Sequence, residues 1–420
     1  MIQIAKNATD LINFRNETLE NANLSMTQIK ISEQNEWNID NGIISHQTGG
    51  YFNVTGLKSG TINKEHIVLY QPQSAITGLL ICKKNKTTYV LLQSRLEPGI
   101  TGDVQFGPTI QSTAANYMRL HGGRATSNLD MFISLPEKVN LINFSMQYDL
   151  GKRYFQKSKS HNYIEIPELT KTDQNMIWIP LEILFNTLSK DYFLNTDLRS
   201  LLAVFDWDTF LFGQIDSNIN DKIITDFFKI KSAFTHNWKL TPINNLNNWE
   251  LNDYGVIDQC KSGISVSMYN ITCNTREITT WSQPLMETKN QGFVSLFIRL
   301  IDGHFEFLLT ICEEFGLNEG IGIGPSFLTY PGYDKNQDDK IKGKVIYKFI
   351  HSDEGGRFIR NDSIYRVYQV DKKYKINENQ YWVNTYTLKK ILSTSNMATI
   401  QLRCICSLLL KELNPLTFSK

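Results

Sequence analysis

The sequence lacks a long apolar run. The stretch VSLFIRLI, from Val294 to Ile301, is short and carries Arg299, whereas a membrane-spanning helix needs roughly 18 apolar residues. It also lacks an excess of charge: 43 lysines and arginines face 42 aspartates and glutamates, so the concentrated base of a nucleic-acid groove is missing. Cysteine is scarce, six in 420 residues, and only Cys404 and Cys406 lie close together. One C-x-C without a second pair does not make a zinc site. The opening MIQIAKNATDLINFRNE has no basic region followed by an apolar run and a small-residue cleavage site. No strand–GxGxxG–helix fingerprint stands out. These absences predict a reduced, soluble, cytoplasmic protein with no nucleic-acid or membrane partner, no resident cofactor and no metal. What is present is core material, 41% apolar and 11% aromatic residues, which excludes a mostly disordered chain. The length suggests two or three domains of roughly 100–200 residues.

The chain repeats itself. Trp37 and Trp249 begin similar stretches 212 positions apart, and Gln71-Pro72 recurs as Gln283-Pro284 at the same offset. LLQSRLEPGITGDVQFGPT (Leu91 to Thr109) lines up with LLTICEEFGLNEGIGIGPS (Leu308 to Ser326) at offset 217. DLGKRYF (Asp149 to Phe155) lines up with DEGGRFI (Asp353 to Ile359) at 204, as do Trp178 with Trp382 and LRSLL (Leu198 to Leu202) with LRCIC (Leu402 to Cys406). The order is collinear, and the changes of offset are loop insertions. The expected organisation is a polar helical leader over 1–36, a first module over 37–205, a helical linker over 206–248 and a second module over 249–420.

Within each module, short apolar or alternating runs separated by glycine turns, such as TGLLICKK and TYVLLQSRL, predict a mixed or antiparallel sheet. PLEILFNTLSKD and DLRSLLAVF carry helical spacing, with Pro180 placed for a helix start, and NTYTLKKILSTSN and QLRCICSLLLKEL repeat that ending. The fold class is α+β.

Positions kept in both halves are most simply scaffold: the tryptophans, the Gly-Pro pairs and the Leu-Arg pairs. Features confined to one half are better candidates for chemistry. HQTGGYF (His46 to Phe52), with Gly49 and Gly50, aligns with DQCKSGI, which has lost the histidine and the glycine pair. TIQSTAANYMRLHGG (Thr109 to Gly123) has an unrelated counterpart, FLTYPGYDK. It concentrates Gln111, Asn116, Tyr117, Arg119, His121 and Arg124 beside Gly122 and Gly123. Arg119 and Arg124 are candidates to hold a diphosphate, and the glycine amides to approach it closely. Tyr117 and His121 can donate or accept a proton.

HQTGGYF, YQPQ (Tyr70 to Gln73), LEPGITGDVQFGPTIQST (Leu96 to Thr113), NYMRLHGG (Asn116 to Gly123) and SDEGGRF (Ser352 to Phe358) resemble the motifs of the NDP-hexose 2,3-dehydratases. The resemblance runs over about residues 37–410. It implies two tandem Nudix-like modules, a nucleotide-linked 4-keto-6-deoxyhexose as substrate, usually carried on thymidine diphosphate, and a homodimer. The diketo product implies coupling to an NADPH-dependent 3-ketoreductase. One departure is YDLGKRYFQKSKSHN (Tyr148 to Asn162), where relatives carry a run closer to SEQG with more arginines.

Such an elimination needs a base near C3, donors to the C4 oxygen and an acid at the C2 oxygen, and no hydride acceptor. The candidates are His121 or Tyr117 as base, with the other or His46 as acid, and Glu97 in competition. Gln105, Thr109 and Gln111 alternate as if along one strand face, and Gln71 and Arg153 complete the expected substrate contacts. The nucleotide base has Trp37, Tyr51, Tyr70 and Tyr154 to stack on. Two other functions compete: a non-catalytic nucleotide-sugar binding scaffold, and a metal-dependent hydrolase. The hydrolase needs several carboxylates on one helix face, and the one near match, EEFGL (Glu313 to Leu317), follows an apolar run that reads as a strand.

Overall fold

The computed structural model describes residues 1–420 except 103, 214–220, 236, 260–262, 333–340 and 419–420. The middle of DQCKSGI, the end of FLTYPGYDK and part of the expected linker therefore lie outside the described residues. The chain is mixed α+β and has two repeated halves. No helix among the described residues is long and apolar enough to cross a membrane.

Each half builds a seven-stranded mixed sheet. In the first, Asn140–Tyr148, Ser158–Ile166, Ala75–Lys84, Thr87–Leu96 and Met176–Pro180 lie side by side, with Val104–Gly107 and Ile110–Ser112 added. The second repeats this strand for strand: Lys344–Ser352, Asp362–Gln369, Gly292–Ile301, His304–Glu313 and Gln380–Asn384, with Ile321–Gly324 and Phe327–Thr329 added. A register shift recurs too, between Leu141 and Asn143 and between Val345 and Tyr347. The unbroken apolar run Leu79–Cys82 arises because both faces of its strand are covered. Leu79 and Ile81 pack on Leu184, Leu198 and Leu201, while Leu80 and Cys82 pack on Phe132 and Trp178.

A six-stranded sheet completes each half, and here the halves trade strands. Leu24–Gln28, inside the expected helical leader, pairs with Ile264–Cys273 of the second half. Trp238–Thr241, inside the expected linker, pairs with Asn53–Ser59 of the first. The leader is thus a helix, Ala8–Glu20, capped by Asn7, followed by a strand. LSMTQ alternates only two apolar residues, Leu24 and Met26, too short a run for hydrophobic periodicity to reveal it.

Two helices meet between the halves, Thr196–Val204 and Ile400–Cys406, each opened by a side-chain cap, Asn195 and Thr399. Their repeated arginines are buried. Arg199 donates to the Leu188 carbonyl (2.9 Å) and Ser407 Oγ (3.1 Å), and Arg403 to the Tyr148 and Ala398 carbonyls (both 2.5 Å) and Ser200 Oγ (2.7 Å). Burial pushes both guanidinium pKa values down to about 10. The core is continuous across the seam: Trp37, Leu150 and Ala203 belong to the same buried cluster as Val266, Leu296 and Leu402.

At the seam, backbone meets backbone. A Cβ at Gly99 would overlap the Phe358 carbonyl oxygen, and one at Gly316 would overlap that of Tyr154. The flanking hydrogen bonds repeat as well: Arg360 N–H donates to Gly99 O (2.8 Å), and Gln156 N–H to Gly316 O (2.6 Å). Gly316→Ala should lower the unfolding free energy by more than about 2 kcal/mol, toward the severe end for one substitution. Gly60→Ala, whose nearest atom would be 3.6 Å away, should change it by less than about 0.5 kcal/mol. Chemical denaturation measures both, and equal stabilities would show that the seam gives way freely.

Candidate active site

Two adjoining cavities, of about 310 and 680 Å³, open where the halves meet, and Arg95, Gln111, Arg276 and Glu277 line both. The first half gives the smaller cavity His46 and Tyr51 from the HQTGGYF turn, Glu97 just past the strand Thr87–Leu96, and Asn116 and His121. The second half gives it Arg276, Glu277 and Trp281 from the hairpin joining Ile264–Cys273 to Thr280–Thr288, and Glu354 and Arg357 from the turn after Lys344–Ser352. Lys159 and Asp197, both buried, also line it.

Backbone amides favour one tautomer at two histidines, at His46 beside a Thr48 hydroxyl 2.8 Å from the same nitrogen. His121 Nδ1 accepts the Gly123 amide at 2.8 Å, and His46 Nδ1 accepts the Thr48 amide at 3.2 Å. A neutral ring that accepts at Nδ1 carries its proton on Nε2. Burial lowers both pKa values, opposed by Glu277 at His121 and by Glu36 at His46, so the neutral donor form is favoured. The Asn116 backbone lies beside the His121 ring, and the buried Nε2 makes no hydrogen bond of good geometry among the described residues. His46 packs against Tyr51 (4.4 Å) and edge-on to Trp37 (5.2 Å).

Glu97 is engaged from two sides. Arg95 donates to its Oε1 through Nε (3.1 Å) and Nη2 (2.9 Å), and Arg276 approaches to 3.5 Å. Arg276 also holds the Glu277 pKa down to about 2, against the cost of burial.

Lys159 lies among three carboxylates: Asp197 at 3.0 Å, Asp149 at 3.2 Å and Glu354 at 3.2 Å. Burial alone would lower its pKa, but the three anions raise it well above the ordinary value. Burial raises Asp197 to about 6, against the pull of Lys159. Glu354 is raised by burial but pulled below the carboxylate range by Lys159, Lys157 and Arg357, and it accepts the Tyr154 hydroxyl at 2.8 Å.

Of the expected site residues, His46, Glu97, Gln111, Asn116 and His121 come together around the smaller cavity, and Arg124 and Thr109 line the larger. Others do not converge. Tyr117, on the short helix Ala114–Tyr117, lines neither cavity. Arg119 is exposed and closes its own turn through Nε to Gly123 O (3.0 Å), while Arg124 Nη2 donates to Arg276 O (2.5 Å), so the pair forms no joint clamp. Gln105 is not on one strand with Gln111: Val104–Gly107 pairs with Thr87–Leu96, and Ile110–Ser112 with Ala75–Lys84. The Thr109 hydroxyl is spent on the scaffold, donating to Leu91 O (2.5 Å) and accepting Leu80 N–H (2.9 Å), as Ser326 does with Leu308 and Phe297.

Gly49 and Gly122 sit at φ 65° and 67° in tight turns. Gly50 and Gly123 leave room for Leu120 and for the Glu277 carbonyl, so all four glycines shape loops rather than line the cavities. Gln71 is buried against Lys157 Nζ (3.2 Å), and its repeat mate Gln283 lines the cavity instead. Arg153 is likewise buried, donating to Pro331 O and Asn361 Oδ1, and its mate Arg357 lines the cavity. Among the aromatics, Trp37 and Tyr51 line the cavity, whereas Tyr70 and Tyr154 do not. In EEFGL, Glu313 ends a strand and Glu314 is buried, accepting the Tyr330 hydroxyl at 2.5 Å. These two carboxylates share no helix face, and no group of three metal-ligating side chains occurs among the described residues.

Sequence reasoning missed Lys159, Asp197, Arg276, Glu277, Trp281, Glu354 and Arg357. A signal existed for four of them: Glu354 and Arg357 lie inside SDEGGRF, and Lys159 and Asp197 show in the repeat. At offset 204, Lys159 faces Ser363 and Asp197 faces Gln401, the same one-half-only pattern that singled out His121.

A family model described as NDP-hexose 2,3-dehydratase matches residues 8–205 and 221–409. Three curated relatives bear the name dTDP-4-dehydro-6-deoxy-alpha-D-glucopyranose 2,3-dehydratase, each 22% identical and each covering 90% of this chain. They come from Streptomyces violaceoruber, Saccharopolyspora spinosa and Amycolatopsis orientalis, and the matches span 92%, 86% and 85% of their own lengths.

A carboxyl held low in the fold stabilises fully above its ordinary pKa, and the contribution is lost as pH falls through the folded value. Glu277 should therefore add to the acid limb of stability between its ordinary 4.5 and about 2. Unfolding free energy measured against pH should be flatter in that window for Glu277→Gln. An unchanged acid limb would show that Arg276 does not hold the carboxylate in solution.

Proposed function

The chain belongs to the NDP-hexose 2,3-dehydratase family, and on that premise we propose that it removes the C2 hydroxyl of an NDP-4-keto-6-deoxyhexose. The substrate is dTDP-4-keto-6-deoxyglucose, as in the names of its relatives. The observation that carries this reading is the convergence of His46, Glu97, Gln111 and His121, drawn from three family-like motifs, on one small cavity with buried acid–base groups.

The C3 hydrogen of the sugar is α to the C4 carbonyl, and the C2 hydroxyl is β to it. Loss of the C3 proton gives an enolate, and departure of the C2 oxygen as water gives a 2-ene-3-ol. Protonation at C2 then yields the 3,4-diketo-2,6-dideoxy sugar. The net change is dehydration and needs no hydride acceptor. With its proton on Nε2, His121 is suited to hydrogen-bond the C4 oxygen as charge develops there, not to act as the base first expected. Such donors are commonly worth roughly 3–4 kcal/mol. The wider cavity suits the nucleoside, with the diphosphate near Arg95, Arg276 and Arg124.

Each seven-stranded sheet with its helices reads as a Nudix-like module. Residues 37–205 carry most of the reacting wall, and the second module closes it. The homodimer and the coupling to an NADPH-dependent 3-ketoreductase rest on the family resemblance and on the reactivity of the product.

Purified protein incubated with dTDP-4-keto-6-deoxyglucose, EDTA and a trapping reductase in D2O should show loss of one water and uptake of solvent deuterium by mass spectrometry. Release of nucleoside monophosphate only when magnesium is restored would favour a hydrolase. Unchanged substrate that still binds would favour a different sugar or a scaffold. His121→Asn should fold and bind nucleotide normally while turnover falls by about 10²–10³; retained turnover would remove His121 from the reaction.

A further inference from the structure

Building on that dehydratase reading, we propose that Asp197, held by Lys159 in the smaller cavity, is the base that takes the C3 proton and returns it to the departing C2 oxygen.

The other cavity groups are committed elsewhere. His121 accepts a backbone amide at Nδ1, and His46 has the Thr48 amide and hydroxyl at its Nδ1, which favours a proton on Nε2 and makes both rings poorly placed as the base. Glu97 receives two donors from Arg95 and faces Arg276. Around Lys159, Asp149 also faces Lys157 (3.7 Å) and does not line the cavity. Glu354 has the Tyr154 hydroxyl and the fields of Lys157 and Arg357. Asp197 has one side-chain hydrogen-bond donor, Lys159, at 3.0 and 3.3 Å, and it does line the cavity. Of the remaining carboxylates on the cavity wall, Glu277 is paired with Arg276 at 3.5 Å, and the half-buried Glu36 accepts the Ser282 amide at 3.2 Å. Asp197 is thus the buried carboxylate of the wall with a single cation beside it.

The repeat points to the same pair. The second half keeps the helix, the Leu-Arg that follows and the strand, yet replaces Asp197 by Gln401 and Lys159 by Ser363. The scaffold therefore does not require these charges. A buried ion pair also costs desolvation that apolar packing would avoid, so its presence on the cavity side alone fits a chemical role.

The step balances with one group. Asp197 takes the C3 proton, and the C–H electrons form the enolate on C3, C4 and O4. The enolate collapses as the C2–O bond breaks, and the departing oxygen takes the proton from the Asp197 carboxyl and leaves as water. In a gluco-configured ring the C3 hydrogen and the C2 hydroxyl are gauche, so one carboxyl on one face can reach both. Burial raises Asp197 to about 6, which suits a group that must both accept and donate near neutral pH.

Asp197→Asn keeps size and the contact with Lys159 but removes the base. Turnover should fall by about 10²–10⁴, with substrate KM and thermal stability little changed. In the wild type, kcat/KM should rise through about pH 6, a limb set by the groups facing Asp197: Lys159, Asp149, Glu354, Arg403 and Cys404. Asp197→Asn turnover within about tenfold of wild type would overturn the proposal. If that variant does not fold, the wild-type profile decides, and a kcat/KM flat from about pH 5 to 8 would overturn it as well. A wild type that does not dehydrate the substrate at all would sink the dehydratase reading itself, before any variant is made.

Discussion

The fold depends on two places where backbone passes against backbone with no side chain between. Gly99 lies on the Phe358 carbonyl and Gly316 on that of Tyr154, and each crossing is followed by a hydrogen bond to the opposite half. These contacts set the distance between the halves. They bring Gly355 against Glu97 and place the Glu354–Arg357 turn on the cavity wall. The cavity is thus a property of the seam and belongs to neither half alone.

The same seam, repeated, has a different outcome on its other side. Glu314 stands where Glu97 does but is buried against Gly151 and Tyr330. Phe315 stacks on His66 at 4.1 Å and packs near Trp238 at 5.4 Å. Where the first half places Lys157, Lys159 and Asp197, the second has Asn361, Ser363 and Gln401. One copy is closed with rings and buried hydrogen bonds, and the other is left with space and a lysine among three carboxylates. Close packing rewards the first arrangement, and chemistry requires the second.

The duplication was legible because its offsets survive as repeated residues, and the sheets were legible because their apolar runs do. The exchanged strands were not: LSMTQ and WKLT each offer only two alternating apolar residues, too few for a periodicity, and their partners lie in the other half. At the site, the sequence pointed to His46, Glu97, Gln111, Asn116 and His121, which converge. For two repeated residues it pointed to the copy that does not line the cavity, Gln71 rather than Gln283 and Arg153 rather than Arg357, because a repeat offset does not show which copy faces the seam's open side. The histidine roles were not legible either, since a tautomer is set by a backbone amide and not by residue type.

The exchanged strands also constrain how the chain comes off the ribosome. Leu24 must wait for Cys273 and Ser59 for Trp238, so neither six-stranded sheet can close while the first half alone has emerged. Until then the strand Asn53–Ser59 shows an unpaired edge, a template for wrong pairing between nascent chains. Contacts so distant in sequence slow folding through the entropy of closing long loops. The first half must therefore persist incomplete through much of synthesis, and the strand Leu24–Gln28, five residues with two apolar side chains, is too short to be a strong nucleus for aggregation while it waits.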